Sequence, residues 1–441
     1  MNAPVDAKET YLRALAAEAP SLPGNAGWLR ELRTRARERF AERGFPTTRE
    51  EAWRYTNLAP LARTPFPLAP ADAGVASEQL QAATFEELHA CRLVFVNGRF
   101  DRGLSALPGE GVALASLAEA LAQGAEALEP HLGQVAPVEQ SPLVALNTAF
   151  LLDGPYLRIP AGMALAYPIH VVYIATAEGL SQPRALIVAE AGSRATVIEQ
   201  HLGAGEARHF TNAVTEIVLE QGAAIEHYRL QQEGARGYHI NGLHVRQARD
   251  SRFTAHGLDL GGLLVRNDLR SVLAEGAHCE LNGLYLAGGR QHVDNHTLIE
   301  HARPGAVSRE LYKGVLDGRG RAVFNGRVVV HPDAQQSDAQ QMNANLLLSE
   351  DAEVDTKPEL EIYADDVKCS HGATVGQLDA DQLHYLRTRA LDEGTARDLL
   401  TFAFANEVLQ RFALAPLRHG LDRRLTRRLL AGREIEEVEL V

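Results

Sequence analysis

The sequence predicts a mainly β chain in which short strands stack into a β-helix or a closely related solenoid, between two helical regions. From about residue 155 to residue 375, short β-rich runs such as RALIVAE and AVTEIVLEQ are separated by turns. Turns of similar type return at Gly192, Gly222, Ser251, Gly276 and Gly305. Their spacing of about 25 to 30 residues is typical of a repeating architecture. A short strand cannot bury its apolar side alone, whereas stacked coils share one continuous core.

Polarity alternates along the segment VLEQGAAIEHYRL. On a strand, one side would carry Ile225, His227 and Arg229, and the other side would carry Glu226, Tyr228 and Leu230. Such alternation predicts strands with one face toward the core and one face toward water. A jelly roll or β-sandwich remains the alternative fold, because many short strands also suit those architectures.

Helical periodicity marks both ends of the chain. Near the start, GWLRELRTRARERFAERGF places apolar residues at three- and four-residue intervals, and CRLVFVNGRFD predicts a hairpin around an Asn-Gly turn. Near the end, three stretches are amphipathic, and Thr395 with Asp398 resembles a capping box. We therefore predict an N-terminal helical and mixed region (1–154), a β-helix core (155–376) and a C-terminal helical domain (377–441). Terminal helices would cover the open ends of a solenoid.

Composition excludes several classes of function. Among 441 residues, 57 Asp and Glu stand against 44 Lys and Arg, and the formal net charge of -13 disfavours binding to a nucleic-acid backbone. The sequence shows neither a secretory leader nor an apolar stretch long enough to cross a bilayer, so we expect a cytoplasmic protein. Cys91, Cys279 and Cys369 lie far apart and include no CxxC pair. Any metal chemistry therefore needs other ligand types or another chain.

Common enzyme motifs are absent from the sequence. It contains no G-x-x-x-x-G-K-[ST] phosphate loop, no G-x-S-x-G elbow and no H-E-x-x-H pair, so we expect no nucleotide hydrolysis by this chain. His292, His296 and His301 cluster with Asp294 and Glu300 in GRQHVDNHTLIEHARPG. His292 and His296 would share a strand face about 13 Å apart, too far to bind one ion. We interpret most of these histidines as surface or coil-stacking groups.

The segment ADDVKCSHGATVG is the strongest candidate for a binding site. Cys369 and His371 are two residues apart, so on a strand their side chains point the same way. Imidazole and thiolate both bind iron, and two ligands leave positions open for sulfide or for a second protein.

Two segments resemble the SufB/SufD family of iron-sulfur cluster assembly proteins. The run from Leu311 to Leu391, which includes HPDAQQSDAQQMNANLLLSEDAEVDTKPELEIYADDVKCSHGATVG, is similar to the family's C-terminal core. The segment PTTREEAWRYTNL resembles the P-T-x-x-x-E-x-W-x-Y-T segment of the SufD branch. Gly372 follows His371 where SufB-like chains carry Glu, which favours the same branch.

The resemblance implies a right-handed parallel β-helix that serves as a non-catalytic scaffold. Such chains pair with SufB through their β-helices and bind SufC, an ABC-type ATPase, through the C-terminal helical domain. The implied cofactor is a nascent iron-sulfur cluster or iron, held transiently and shared with SufB; the residues give no support for a reduced flavin. His371 matches the family's proposed cluster or metal ligand at the SufB interface, and Cys369 matches the neighbouring family cysteine.

Two other functions remain open. A solenoid carbohydrate-active enzyme would need paired carboxylates, for which Asp365 with Asp366, or Asp333 with Asp338, are the available candidates. We interpret these residues as solvated turn charges, because adjacent carboxylates face opposite sides of a strand. The third hypothesis is a homodimer that binds metal without other partners, because the β-helices of two copies of this chain could pair edge to edge.

Overall fold

The structure, a computed structural model, describes residues 7–64, 66–71, 74–75, 80–81, 84–85, 87–107, 113–203 and 207–429. The last residues of the predicted C-terminal domain, 430–441, lie outside this part. The α-helices are α1 Ala7–Glu18, α2 Gly27–Arg43, α3 Ala59–Ala62, α4 Leu117–Gly124, α5 Pro142–Phe150, α6 Ala380–Thr388, α7 Glu393–Leu409 and α8 Ala415–Leu429. Short 3-10 helices span Ala19–Ser21, Glu51–Trp53 and Ala125–Ala127. No helix of the described residues is long and apolar enough to span a membrane.

The strands make up most of the middle of the chain. They are β1 Cys91–Val96, β2 Arg99–Ala106, β3 Ala113–Ser116, β4 Pro155–Ile159, β5 Ile169–Ala175, β6 Gly179–Ser181, β7 Arg184–Ala189, β8 Arg194–Gly203, β9 His209–Leu219, β10 Ala224–Gln232, β11 Tyr238–Gln247, β12 Arg252–Asp259, β13 Leu264–Leu273, β14 His278–Ala287, β15 His292–His301, β16 Val307–Leu316, β17 Arg321–Val330, β18 Ser337–Leu347, β19 Glu353–Ile362 and β20 Val367–Gly376.

Two sheets form the walls of a solenoid. The first sheet has the order β2-β1-β5-β8-β10-β12-β14-β16-β18-β20, and the second has the order β19-β17-β15-β13-β11-β9-β7-β4-β3, with β6 beside β9. From β8 to β20 each strand pairs in parallel with the strand two places along the chain. The chain therefore alternates between the sheets and completes about 8 turns. The predicted solenoid is confirmed, because a sandwich or jelly roll would pair its strands antiparallel.

The predicted repeating turns form a ladder along one corner of the solenoid. Each turn has one residue in the left-handed region, at φ between 56° and 71°: Gly192, Gly222, Asp250, Gly276 and Gly305. The amide of each donates to a carbonyl one coil further on, for example Gly192 N to Gln221 O at 2.9 Å. In the turn ARDSRF the left-handed residue is Asp250, one position before the predicted Ser251. The repeat in the sequence is therefore a repeat of backbone geometry.

Helices cover much of the outer face of the first sheet. Tyr228 and Leu230 on β10 are buried against Phe412 and Leu417 from the C-terminal region, and the Tyr228 hydroxyl accepts a hydrogen bond from Leu414 N at 3.1 Å. The outer face of the second sheet is covered in the same way by residues from the N-terminal region. The predicted water-exposed face is therefore wrong at β10, because segments distant in sequence fold over it.

Three short sequence patterns predict a helix end, a hairpin turn and a helix cap. Helix α2 ends before Gly44, which has φ 62°, and the predicted hairpin turns at Asn97 and Gly98 with φ 51° and 79°. Both of these predictions are confirmed. The predicted capping pair Thr395 and Asp398 is wrong, because the N-cap of α7 is Asp392, three residues before Thr395, and its side chain accepts from Thr395 N at 3.1 Å.

Replacement of Gly222 by alanine should lower the free energy of unfolding by about 1–2 kcal/mol, because an L-residue at φ 67° is strained. The new Cβ would meet only Gly192 Cα, at 4.0 Å, so no steric clash adds to the strain. Gly27→Ala is the control, because the same atom at this open helical position is neutral or stabilising by up to about 1 kcal/mol. Urea unfolding of the full chain measures both, and equal midpoints for wild type and Gly222→Ala would contradict the prediction.

Candidate functional site

The candidate pair Cys369 and His371 lies on β20, the last strand of the first sheet. In the parallel register Cys369 stands beside Ala339 and His371 stands beside Gln341. Ala339 and Gln341 are buried on the interior face of β18. Cys369 and His371 therefore continue two interior rows of the solenoid, at the point where the stack of coils ends.

Among the described strands, none stacks on β20 beyond this end of the solenoid. Most of β20 is exposed, and His371 is exposed although it faces the direction in which earlier coils bury their side chains. Cys369 is partly buried and packs against the central core. Burial raises the pKa of the Cys369 thiol, so at neutral pH the free thiol is protonated. The imidazole is accessible to a ligand, and the thiol requires deprotonation before it can bind a metal.

Two side chains do not complete a metal site. Cys369 and His371 are separated by about 7 Å along the strand, and their side chains project on the same side. Within the described residues no group of three His, Cys, Asp or Glu side chains could hold a metal ion. An iron-sulfur cluster usually takes four protein ligands. This end of the chain could therefore supply part of a ligand set, and other protein ligands would have to come from elsewhere.

Exposed apolar side chains are concentrated at this end of the solenoid. Of the eight exposed large apolar residues in the described part of the chain, five lie around β18, β19, β20 and α6: Met342, Ile362, Tyr363, Val375 and Tyr385. Val375 stands beside Asn345, and Ile362 stands beside Val330, both of which are buried one coil earlier. We call β19, β20 and α6 the open end. Its apolar residues are those that another packed surface would bury.

The histidine cluster predicted as structural is held by separate partners. His292 Nε2 lies 2.8 Å from the Thr56 hydroxyl, and His301 Nε2 lies 2.9 Å from the Ser308 hydroxyl. His296 Nε2 lies 3.1 Å from Asp294. Each of the three imidazoles therefore has a local partner, and the interpretation as packing groups is supported.

The segment PTTREEAWRYTNL is attached to the outer face of the second sheet. The guanidinium of Arg266 lies 4.3 Å from the centre of the Trp53 ring and donates to Ala52 O at 2.9 Å. Arg266 also bonds Asp294, and the Thr56 hydroxyl donates to the same carboxylate. Burial alone would raise the pKa of Asp294, but Arg266 beside it holds that pKa well below its usual range. The tryptophan and threonine of this segment therefore fasten the N-terminal region to the solenoid.

The solenoid interior contains charged side chains whose burial was not predicted from the sequence. Glu199 on β8 bonds His227 on β10 at 2.7 Å, and Arg229 bonds Asp259 through two contacts of 2.6 and 3.0 Å. Burial alone would raise the pKa of Glu199, but the bond from His227 lowers it to about 2. Alternation had placed His227 and Arg229 beside Ile225, which is a core residue. Because they share a strand face with this core residue, the alternation pattern could have predicted that His227 and Arg229 face inward.

The carboxylates considered for sugar chemistry do not form a catalytic pair. Asp338 bonds Arg309 at 2.7 Å, and Asp333 is largely exposed and lies 4.0 Å from Arg303. Asp366 belongs to the turn ladder, where its carbonyl accepts from Gln336 N. Asp333 and Asp366 fit the interpretation of solvated turn charges. Asp338 does not, because it lies on β18, pairs with Arg309 and has one buried carboxylate oxygen.

The C-terminal helices differ in how much they contribute to the fold. Helix α6 has no buried residue, whereas α7 buries Ala405, Val408 and Leu409 against the first sheet. Lys313 on β16 donates to Phe404 O at 3.2 Å and also bonds Glu407. One side of α7 therefore belongs to the molecule's own core, and its other side carries exposed residues such as Ala403, with the exposed Gln410 directly after the helix.

Comparison with known proteins agrees with these features. Residues 172–404 match the SUF system FeS cluster assembly SufBD core domain, and residues 8–171 match the SufBD protein N-terminal region. The chain is 36% identical to an iron-sulfur cluster assembly SufBD family protein of Synechocystis sp., over 86% of each chain. It is 32% identical to the iron-sulfur cluster assembly protein SufD of Escherichia coli, over 88% of this chain and 90% of that protein. SufD of Bacillus subtilis is 24% identical, over 89% of this chain and 92% of that protein. The chain belongs to the SufBD family of iron-sulfur cluster assembly proteins.

Proposed function

We propose that this chain is a scaffold subunit of an iron-sulfur cluster assembly complex, in which its open end pairs with a SufB-like chain. The supporting observation is that the interior rows of the solenoid end uncovered at Cys369 and His371, within an apolar rim. A second subunit placed there would bury the rim and supply the remaining ligands. His371 then binds the nascent cluster or iron that the two chains share, with Cys369 as a second ligand.

In this proposal the chain itself does not hydrolyse ATP. Its sequence has no phosphate loop, so ATP hydrolysis belongs to a SufC-like partner. The docking region is the C-terminal helical domain, where the exposed side of α7 is free of the molecule's own core. We also assign a role to each of the three domains. Residues 1–154 cover the solenoid, residues 155–376 present the cluster ligands, and residues 377–441 bind the ATPase.

His371→Ala should reduce cluster formation by the purified complex about tenfold or more, because it removes a ligand at an exposed position. Iron and sulfide bound per complex, together with the absorbance of the cluster, measure the effect. His89→Ala is the control, because His89 is also exposed but precedes β1, near the other end of the first sheet. Unchanged cluster formation by His371→Ala in an intact complex would remove the role proposed for this residue.

Val375→Lys should weaken pairing with the SufB-like chain about tenfold or more, which corresponds to about 1.4 kcal/mol. A lysine there places a charge on a surface that pairing would bury. Tyr167→Lys is the matched control, because Tyr167 is exposed and apolar but lies in the loop before β5. Mass measurement of the mixed chains gives the affinity. Equal affinities for wild type and Val375→Lys would contradict pairing at the open end, and a stable complex of this chain with itself alone would favour the homodimer.

Ala403→Arg should weaken binding of a SufC-like ATPase about tenfold or more, because the large side chain projects from the exposed side of α7. Deletion of residues 394–441 is a poorer test, because it would uncover buried residues such as Tyr228 and Leu230. Ala113→Arg is the control, on an exposed position of β3. Co-purification with the ATPase measures both variants, and full binding by Ala403→Arg would exclude this side of α7.

A further inference from the structure

One interior row of the first sheet connects the open end to the core. In this row His371 on β20 stands beside Gln341 on β18, which stands beside Glu310 on β16. Gln341 Nε2 donates to Glu310 Oε2 at 2.7 Å, and both side chains are buried, with exposed fractions of 3% and 5%. Because neighbouring strands are about 4.8 Å apart, Glu310 lies about 10 Å from His371.

Within the described part of the chain, Glu310 differs from the other interior acids because no cation stands beside it. Glu199 has His227 and Asp259 has Arg229. Among the described residues, the groups that bond or approach the Glu310 carboxyl are the amide of Gln341 and the hydroxyl of Thr297, and both are neutral. Other polar or titratable side chains of the described residues also lie near Glu310. They are Cys279 on β14, Thr297 and His301 on β15, Ser308 and Tyr312 on β16, and Asn343 on β18. Burial lowers the pKa of His301 to about 4, so its imidazole is neutral at pH 7. Burial also raises the pKa of Cys279 to about 12.

Two acceptor atoms in the Glu310 and Gln341 pair lack donors. Within the described residues neither Glu310 Oε1 nor Gln341 Oε1 receives a hydrogen bond, although both atoms are buried. A buried acceptor without a donor costs about 1–3 kcal/mol. A proton on Glu310 converts one of these acceptors into a donor. The pair then resembles a carboxylic acid bound to an amide, in which neither group needs a cation.

We propose that Glu310 carries a proton while the open end is empty and releases it when positive charge is placed at His371. The step is Glu310 COOH to COO⁻ plus a proton delivered to solvent, and the carboxylate left behind compensates the charge of the bound iron. This inference rests on the proposed function for the identity of that cation, but not for the titration of Glu310 itself. Gln341 is the positioning residue between Glu310 and His371.

The direction of the pKa shift agrees with this geometry. Burial raises the pKa of Glu310 to about 7, and the bond from Gln341 offsets only part of that effect. An unfolded glutamate titrates near 4.3, so between about pH 4.3 and pH 7 the folded chain holds a proton that the unfolded chain has lost. The stability contributed by this proton is complete below that window and is lost as pH rises through 7. Glu310→Gln, which is permanently neutral, should abolish this part of the pH dependence.

Infrared difference spectra of the full chain between pH 5 and pH 9 test the proposal without iron or partners. The wild type should show the carbonyl band of a buried carboxylic acid that disappears with a midpoint near pH 7, and Glu310→Gln should lack it. His371→Lys places a fixed positive charge at the open end. It should lower the midpoint by about half a pH unit, as expected for unit charges about 10 Å apart in a partly hydrated site.

Ser370→Lys is the matched control, because the same charge then projects from the opposite, outer side of β20 and should move the midpoint less. If the wild type shows no such band, Glu310 is ionised and the proposal is wrong. If the band titrates but His371→Lys shifts it no more than Ser370→Lys does, Glu310 is not coupled to the open end, which also overturns the proposal. Loss of cluster formation in His371→Ala is measured separately, so failure of the proposed function can be distinguished from failure of this inference.

Discussion

The parallel hydrogen bonding between strands two places apart in the chain is the interaction on which the rest of this structure depends. Each coil supplies the backbone partners of the next, so Gly192 N finds Gln221 O and Gly222 N finds Arg249 O along a single corner. The same stacking extends each interior row by one residue per strand. At β20 both the backbone pairing and the interior rows end. β20 therefore has a backbone partner on one side only, and it also exposes two interior rows, on one of which His371 lies.

Stacking also explains how a solenoid can hold charges in its core. An acid on one coil can be paired by a base on the next, as Glu199 is with His227 and Asp259 is with Arg229. Removal of one partner from such a buried pair costs about 3–5 kcal/mol, so these pairs fix the register of neighbouring coils. Glu310 receives an amide instead of a base. The interior acid with the weakest compensation is thus the one two strands from the open end.

The sequence predicted those features that depend on residues close together in the chain. The turn period was visible because each left-handed corner favours glycine, and the common direction of Cys369 and His371 follows from strand alternation. It did not predict the burial of Tyr228, whose covering residue Leu414 lies 186 positions away. The sequence also did not predict the protonation state of Glu310. It depends on Thr297 and Gln341, and only the folded register brings these residues to the carboxyl.

The edge strands of the solenoid are not equally suited to a partner. β2 carries Arg99, Asp101 and Arg102, and its pairing with β1 contains a register shift, both of which discourage addition of another strand. β19 contains Pro358, which lacks a backbone donor, among several charged residues. β20 is a regular strand of 10 residues without proline, and Lys368 is its only lysine, arginine or acidic residue. An unguarded edge of this kind is an aggregation hazard for a free chain. In the pairing proposed above, a partner strand added to the first sheet at β20 would place its side chains over the row formed by His371, Gln341 and Glu310.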